Sequence, residues 1–252
     1  MDLLLLANTL LGTALVAAGT NAWNQIRERD VDARMARTRR RPLPSGRLSA
    51  RAAIWFATAI TVAGVAYLAA TVNALTAMLA ALTFASYVLL YTPLKRTTTL
   101  NTLVGAVPGA LPIVGGWTAA GGSLDAAVAA LFWILFLWQL PHFLALAWLY
   151  RDDYRAGGLR MLSVNDDSGA DTGRMAMLYA AALLPISLMP TLLGVTGAWY
   201  FFGALGLGLG YVAAGTGLVL GATPSRAWRL FFVSVLYLPA LLTLMVLDKV
   251  AA

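Results

Sequence analysis

Residues 125–149 of the chain read DAAVAALFWILFLWQLPHFLALAWL and contain one charged residue, Asp125, at the first position. About 20 apolar residues in a helix cross the hydrocarbon core of a bilayer, which is about 30 Å thick. The whole chain is 60% hydrophobic and 12% charged, and a soluble domain usually has about twice that charged fraction. The stretch therefore predicts a transmembrane helix in an integral membrane protein.

Seven further apolar stretches of similar length lie on either side of this one. Together they predict eight spans, at about residues 3–23, 52–72, 75–92, 102–119, 125–149, 175–195, 198–220 and 229–248. Because the spans use most of the 252 residues, we expect an all-α, polytopic membrane helix bundle made of one transmembrane domain, residues 1–252. The chain has no cysteine, which excludes disulfides, iron–sulfur clusters and thiolate catalysis.

The basic residues are distributed unevenly among the loops. With eight spans, the segments 24–51, 94–101, 150–174 and 221–228 fall on one side of the membrane, and with the adjoining Arg229 they hold all but one of the 18 Lys and Arg residues. The exception is Lys249. Since basic loops stay in the cytoplasm, the pattern predicts that these loops are cytoplasmic. The net charge of +7 is therefore explained by orientation and anionic lipid, and we expect no nucleic-acid partner.

The first polar loop carries three oxygen-bearing side chains at helical spacing. Asn24, Glu28 and Asp32 follow one another at four-residue steps, which places them on one helix face, and Asp30 points the opposite way. Such oxygen ligands suit Mg²⁺, which takes one or two carboxylates and completes its shell with waters and phosphates. The basic run from Arg37 to Arg41 then suits a polyphosphate. The alternative is a solvated helix end with ordinary Glu–Arg pairs. Pro42, Pro44 and Gly46 are predicted to end this helix.

Other polar and aromatic residues allow a structural and a functional interpretation. His142, the only histidine, lies about 12 Å inside its span at 1.5 Å per residue, where a polar ring normally faces a cavity or the bundle interior. The acidic segment 165–171 is predicted to be a solvated loop. Most of six aromatic residues should be packing or interface residues, although some of them could line an apolar cavity and stabilise a cation there: Trp117, Phe132, Trp133, Phe136, Trp138 and Trp148.

Three motifs resemble a known enzyme family. The first is Asn24-x3-Glu28-x3-Asp32-x2-Met35-x-Arg37-Thr38-x2-Arg41-Pro42-Leu43. The second is Tyr91-Thr92-Pro93-Leu94-Lys95-Arg96, and the third is Pro141-His142-Phe143 followed by Tyr150-Arg151-Asp152-Asp153-Tyr154. In this order they resemble the signatures of the intramembrane prenyltransferases of the UbiA type, and they are most similar to the heme farnesyltransferase branch. The resemblance covers about residues 3–248.

The resemblance implies a fold, a reaction and a set of site residues. The fold would enclose a central cavity open to the cytoplasmic side, and the reaction would transfer a farnesyl group from farnesyl diphosphate to a vinyl group of heme b, giving heme o. Mg²⁺ would be held by Asn24, Glu28, Asp32 and Asp153, with Asp152 as a further candidate ligand. The diphosphate would be bound by Arg37, Arg41, Lys95 and Arg96. His142 would contact or position the heme iron.

The sequence departs from the family pattern at two places. Tyr150 and Tyr154 stand where the wider family has acids in its second motif, so that only Asp152 and Asp153 remain, and of these Asp153 is the expected metal ligand. The branch has nine spans and this chain shows eight, so that the family's first span is expected to be missing. The expected surroundings are a bacterial or archaeal cell membrane, with heme A synthase or a terminal oxidase assembly as possible partners.

Two other functions are compatible with parts of the pattern. One is a prenyltransferase of the same fold that acts on a quinone precursor or chlorophyllide. Acids at positions 150 and 154 would indicate this function. The other is a transporter, which charged residues inside several spans would indicate. Neither feature is present in the sequence.

Overall fold

In the computed structural model, which describes residues 2–250, the chain consists of helices joined by short loops. The helices are α1 (Leu3–Arg27), α2 (Arg29–Asp32), α3 (Ala50–Thr71), α4 (Ala74–Ala85), α5 (Thr92–Leu94), α6 (Asn101–Ala119), α7 (Ala126–Leu149), α8 (Arg151–Gly157), α9 (Ala170–Leu192), α10 (Ala198–Val219) and α11 (Pro224–Leu247). A π-helical segment, Ser86–Tyr91, connects α4 to α5, and a 3₁₀ turn, Leu162–Val164, precedes α9. Between residues 2 and 250 there is no β-strand, only an isolated bridge between Thr196 and Lys249.

Eight helical stretches within residues 2–250 are long and apolar enough to cross a membrane. They are Leu3–Arg27, Ala50–Thr71, Ala74–Leu94, Asn101–Ala119, Ala126–Leu149, Ala170–Leu192, Ala198–Val219 and Pro224–Leu247. The predicted all-α, multi-pass membrane architecture is confirmed, and each predicted span corresponds to one of these stretches.

Two spans begin five residues earlier than the sequence predicts. At the start of α9, the carboxylate of Asp166 accepts hydrogen bonds from the backbone N–H of Gly169 at 2.9 Å and of Thr172 at 2.7 Å. At the start of α11, the hydroxyl of Thr223 accepts from the N–H of Arg226 at 3.3 Å, and Pro224 occupies the first turn. These bonds satisfy N–H groups that the helix itself leaves unpaired, so polar residues extend both helices beyond their apolar parts.

The helix after the first span is shorter than predicted. It ends at Asp32, well before Pro42 and Gly46, so the prediction that these residues end it was wrong. The Thr38 hydroxyl donates to the Asp32 carbonyl at 2.9 Å, and further turns follow between Met35 and Gly46. A threonine side chain that bonds to the backbone offers an alternative to continued helix, which explains the early end.

The described residues form two compact units. The first unit comprises residues 2–124 and 152–160. Here α1 packs on α3 and α4 packs on α6. The two helices of the first pair approach closely at Gly64, where an added Cβ would lie 2.8 Å from Cγ2 of Val16. Small residues that allow such close approach are typical of helix pairs in membranes.

The second unit comprises residues 125–151 and 161–250. Its helices α7, α9, α10 and α11 surround a core that includes the fully buried rings of Tyr200, Tyr211 and Tyr237. The Tyr211 hydroxyl donates to the Trp138 carbonyl at 2.8 Å, and the Tyr200 hydroxyl donates to the Ser187 carbonyl at 2.8 Å. The buried polar atoms of these two tyrosines are thus satisfied by backbone carbonyls.

Candidate active site

The candidate site begins where the first span ends, in the first unit. The N–H of Glu28 bonds to the carbonyl of Asn24 at 2.9 Å, and the N–H of Asp32 bonds to the carbonyl of Glu28 at 2.7 Å. These two bonds preserve the four-residue register between α1 and α2, although the backbone of Glu28 departs from helical geometry. Glu28 and Asp32 are buried, whereas Asp30 is exposed. The helical spacing therefore separates the three acids into two environments, as the sequence predicted.

The carboxylate of Glu28 contacts both the ammonium of Lys95 and the side-chain amide of Asn24. Nζ of Lys95 lies 3.0 Å from Oε1 of Glu28 and 3.1 Å from Oε2, and Nδ2 of Asn24 donates to Oε2 at 2.9 Å. Only the approach to Oε2 has the geometry of a hydrogen bond. Oε1 is consequently a buried oxygen with an ionic neighbour and no hydrogen bond.

Lys95 is a buried ammonium, with only 9% of the residue exposed. Its Nζ lies 4.5 Å from the centroid of the Tyr91 ring and 5.9 Å from that of Tyr87. The faces of aromatic rings attract cations, so the two tyrosines and Glu28 together offset the loss of water around this charge. The backbone of Lys95 is also fixed, because its carbonyl accepts from the N–H of Arg160 at 2.7 Å.

A second pair joins Asp32 to Arg41. The Asp32 side chain is 1% exposed and the Arg41 side chain is 35% exposed, and Nη1 of Arg41 lies 2.8 Å from Oδ2 of Asp32. The guanidinium thus contacts a buried carboxylate while part of its surface stays accessible. An arginine in this position has donors left for an anionic ligand, since a guanidinium carries five N–H groups.

Arg96 contacts a different acid from Lys95 and Arg41. Its guanidinium binds Asp30 at 2.8 and 3.1 Å and the carbonyl of Arg27 at 3.2 Å. The hydrogen bond from Arg96 lowers the pKa of Asp30 below its usual value, against the opposing effect of burial. Arg96 therefore holds the exposed side of the α1–α2 junction, and the structure does not bring it to Glu28 or Asp32.

The two acids of α8 differ in their contacts. Oδ1 of Asp153 accepts from the N–H of Ala36 at 3.0 Å, which links α8 to the loop that follows Asp32. Packing supports the link, since a Cβ on Gly157 would lie 3.1 Å from Cγ1 of Val31. Asp152 is exposed and pairs with Arg155 of its own helix at 3.1 Å. Asp153 is thus the acid that this structure joins to the first loop, where the exposed Arg37 also lies.

His142 lies in the second unit, in α7. One of its ring nitrogens, Nδ1, lies 2.8 Å from the hydroxyl of Ser234 in α11. The ring stacks on Trp138 with a centroid distance of 5.4 Å, and Phe231 is at 4.8 Å. These contacts give His142 a structural role, since its ring bonds α7 to α11 inside the bundle, and its role toward heme stays a prediction.

A cavity of about 200 Å³ lies within the first unit, between α1, α4, the π-helical segment and α6. Its lining includes Thr20 and Asn21 from α1, Thr83 from α4 and Tyr87 from the π-helical segment. Asn21 lies one helical turn before Asn24, and Tyr87 also faces Lys95, so the cavity adjoins the acidic and basic cluster. None of the six aromatic residues expected from the sequence is among its lining residues. Tyr87 was not predicted from the sequence, where its only signal is its position four residues before Tyr91.

The donors in the cluster fit a divalent cation of the magnesium type. Within residues 2–250, no group of three or more His, Cys, Asp or Glu side chains is placed to hold a metal ion. Mg²⁺ does not require one, because it binds through one or two carboxylates and completes its shell with waters and phosphate oxygens. The buried Oε1 of Glu28, which has no hydrogen bond, is an oxygen of the required kind. Asn24 offers a further hard oxygen through Oδ1.

The sequence is similar to a large set of curated proteins. One is a protoheme IX farnesyltransferase from Solibacter usitatus (strain Ellin6076), 49% identical over 249 residues, which are 99% of this chain and 85% of that protein. Another is a protoheme IX farnesyltransferase from Koribacter versatilis (strain Ellin345), 45% identical, with 97% of this chain and 81% of that protein covered.

Solved structures share the fold at low sequence identity. A structure of digeranylgeranylglyceryl phosphate synthase has a TM-score of 0.79 at 18% identity, covering 98% of this chain and 86% of that one. A UbiA homolog from Archaeoglobus fulgidus bound to GPP and Mg²⁺ has a TM-score of 0.68 at 16% identity, covering 97% of this chain and 89% of that one. A family model described as the UbiA prenyltransferase family matches residues 1–236. The chain therefore belongs to the UbiA prenyltransferase family.

Proposed function

We propose that this chain transfers the farnesyl group of farnesyl diphosphate to a vinyl group of heme b and produces heme o. The observation that carries the proposal is its similarity to protoheme IX farnesyltransferases, at 49% and 45% identity over nearly the whole chain. The cluster of buried acids and bases beside an apolar cavity supports it, because a diphosphate ester of an isoprenoid has a charged and an apolar end.

In this proposal, Asn24, Glu28 and Asp32 hold Mg²⁺ together with Asp153, and Asp152 is the weaker candidate. Bound Mg²⁺ would neutralise part of the diphosphate charge as it builds up on the leaving group. Asp153 is favoured over Asp152 because it contacts the loop after Asp32, whereas Asp152 pairs with Arg155.

The basic residues supply the remaining charge for the diphosphate. Lys95 lies directly beside Glu28 and beside two aromatic rings, and Arg41 is partly exposed beside Asp32. Both are therefore close to the acids and can bind phosphate oxygens. Arg37 lies on the same loop. Arg96 has the more distant role of holding Asp30, so we expect its contribution to diphosphate binding to be indirect.

The reaction requires that the bond between C1 of the farnesyl chain and the diphosphate oxygen breaks first. The diphosphate leaves with the electron pair, and an allylic cation remains in surroundings that must exclude water from C1. The vinyl π electrons of heme b then form the new carbon–carbon bond, and water adds to the resulting cation and loses a proton. The protein contributes positioning and electrostatic stabilisation, and no covalent nucleophile is needed.

The apolar cavity of the first unit is the proposed place for the isoprenoid tail. Its walls are largely aliphatic and small residues, with Tyr87 at the end that adjoins Lys95. The ring of Tyr87 could stabilise the allylic cation through its face, as aromatic rings stabilise other cations. An opening of this cavity to the cytoplasmic side stays a prediction.

His142 is proposed to contact or orient heme b. Its Nδ1 is engaged by Ser234, so an interaction with iron would use Nε2, as in histidine-ligated hemes. The test is His142→Ala, which should change the absorption spectrum of bound heme b and weaken heme binding without changing diphosphate binding. An unaltered spectrum and affinity would leave His142 with a structural role alone.

The orientation in the membrane follows from the basic loops. We propose that the protein lies in a bacterial or archaeal cell membrane with the loops 24–51, 94–101, 150–174 and 221–228 in the cytoplasm. Association with heme A synthase or a terminal oxidase would deliver the product directly, and it stays a prediction.

The proposal is tested by incubating the purified chain in membranes with heme b, farnesyl diphosphate and Mg²⁺. Mass spectrometry should detect heme o, and removing Mg²⁺ with a chelator should abolish its formation. Parallel reactions with a quinone precursor should give no prenylated product. Prenylation of the quinone precursor without formation of heme o would overturn the proposed acceptor.

A further inference from the structure

The hydroxyl of Thr92 lies between two carbonyl oxygens at the edge of the candidate site. It is 2.9 Å from the backbone carbonyl of Tyr87 and 3.1 Å from Oδ1 of Asn24, and Thr92 is 3% exposed. A hydroxyl has one proton to donate, so the two acceptors share it. The contact links the start of α5 to the end of α1 within the first unit.

The orientation of the Asn24 carboxamide depends on the donors around it. Nδ2 donates to Oε2 of Glu28 at 2.9 Å, while Oδ1 lies 3.1 Å from Oγ1 of Thr92 and 3.4 Å from Nζ of Lys95. Carboxylate accepts only and ammonium donates only, so the amide can satisfy both with Nδ2 toward Glu28 and Oδ1 toward Lys95. The bond to Lys95 is long, which leaves Thr92 as the nearer donor to Oδ1.

The π-helical segment explains why Thr92 reaches Asn24. The N–H of Thr92 donates to the carbonyl of Tyr87, five residues earlier, and Pro93 has no N–H to continue an α-helical ladder. A wider turn at this point changes the direction of the side chains that follow it. Such π-helical turns occur often at functional sites. Here the turn places the Thr92 hydroxyl on both Tyr87 and Asn24.

We propose that Thr92 is a positioning residue, which holds the Asn24 carboxamide so that Oδ1 is available to a divalent cation and Nδ2 stays bonded to Glu28. The inference rests on the proposed function, because it concerns the same cation site. In this role Thr92 acts through Asn24, to which its hydroxyl is bonded. Removing a residue that orients a metal ligand typically weakens metal affinity by about tenfold or more.

The experiment measures Mn²⁺ binding to the full chain in detergent, with inorganic diphosphate present, by the electron paramagnetic resonance signal of free Mn²⁺. Thr92→Val removes the hydroxyl and should weaken binding by about tenfold, and Thr92→Ser should restore it to within about twofold. Thr71→Val is the matched control. Its hydroxyl bonds only to a carbonyl of its own helix, that of Tyr67 at 2.8 Å, and its loss should leave Mn²⁺ binding unchanged.

A second variant tests whether the effect passes through Asn24. In an Asn24→Asp background the carboxylate has two equivalent oxygens, so adding Thr92→Val should change Mn²⁺ affinity little. If Thr92→Val does not insert, Thr92→Ala removes the same hydroxyl with a smaller side chain. Unchanged Mn²⁺ binding in a folded Thr92→Val variant, failure of Thr92→Ser to restore binding, or no Mn²⁺ binding to the wild-type chain would each overturn the inference.

The test of the positioning role can fail or succeed independently of the test of the proposed function. If the wild-type chain makes no heme o but Thr92→Val weakens Mn²⁺ binding and Thr92→Ser restores it, the positioning role stands and the proposed reaction falls. If heme o is made and Mn²⁺ binding is insensitive to Thr92→Val, only the positioning role is lost.

Discussion

The two units of the molecule bury polar groups in different ways. In the first unit, the buried groups at the end of α1 are charged, and Glu28 and Asp32 each face a basic side chain. In the helix core of the second unit, the buried groups Tyr200, Tyr211 and Ser234 are neutral, and each donates to a backbone carbonyl. The buried acid of this unit, Asp166, lies outside the spans, where it caps α9. Charges are expensive to bury unless paired, whereas a neutral hydroxyl needs only one acceptor. We infer that the paired charges of the first unit serve to bind a ligand, whereas the hydrogen bonds of the second unit hold its helices together.

The largest effect is expected from breaking the buried pair of the first unit. Lys95→Met leaves the carboxylate of Glu28 buried without its cation, which should destabilise the protein by about 3 kcal/mol. Adding Glu28→Gln in the same chain should recover most of this loss, because no unpaired charge remains. The measurement is the free energy of unfolding in mixed micelles, and equal stabilities of Lys95→Met and wild type would contradict the account.

The next effect concerns activity. Asp32→Asn should lower the rate of heme o formation by about a hundredfold, or about 2.7 kcal/mol of activation free energy, while the protein stays inserted and folded. Asp30→Asn is the matched control on the same turn, since Asp30 is exposed and pairs with Arg96, and its activity should fall much less. Normal activity of Asp32→Asn at millimolar Mg²⁺ would remove Asp32 from the site.

A smaller effect is expected in the second unit. Tyr211→Phe removes the hydroxyl that donates to the Trp138 carbonyl and should reduce the free energy of unfolding by about 1 kcal/mol. The rate of heme o formation should stay close to that of the wild type. A large loss of activity with little loss of stability would show that the second unit's buried hydroxyls have a catalytic role.

The smallest effect concerns the cap of α9. Burial alone would raise the pKa of Asp166, but hydrogen bonds from Thr172, Gly169 and Ser168 together outweigh it and hold the pKa below its usual 3.8. The cap therefore stabilises the fold above pH 3.8 and loses this contribution as the pH falls through the lowered pKa. Asp166→Ala should reduce the free energy of unfolding by about 1 kcal/mol at neutral pH. The gap between variant and wild type should narrow in acid, and a gap that widens there would contradict the assignment.

The apolar parts of the spans could be predicted because their length is set by the thickness of the bilayer. The starts of α9 and α11 could not, because polar caps extend these helices beyond their apolar parts. The sequence also predicted that Glu28 and Asp32 share a face opposite Asp30, since helical spacing survives the break at Glu28. The pairing of Arg96 with Asp30 could not be predicted, because it depends on how the loop after α5 lies against α1. Asn165, Asp167 and Asp171 are exposed, as expected of a solvated loop. Asp166 departs from that prediction, because it is buried and caps α9.

The cavity illustrates a further limit of the sequence. Six aromatic residues of α6 and α7 were expected to be mostly packing residues, of which some could line a cavity, whereas the lining of this cavity comes from α1, α4, α6 and the π-helical segment. Which helices pack together is decided by contacts between residues far apart in the chain. A π-helical turn also has no strong sequence signal, so the direction of Tyr87 and Thr92 had to come from the structure.

The central claim is that the buried acids at the end of the first span bind diphosphate through a divalent cation. The most direct measurement is equilibrium binding of radiolabelled farnesyl diphosphate to the full chain, with millimolar Mg²⁺ and with a chelator, for the wild type and for Glu28→Gln. The account predicts binding by the wild type with Mg²⁺, and loss of binding both with the chelator and in the variant. Equal binding by the wild type with and without Mg²⁺ would contradict it.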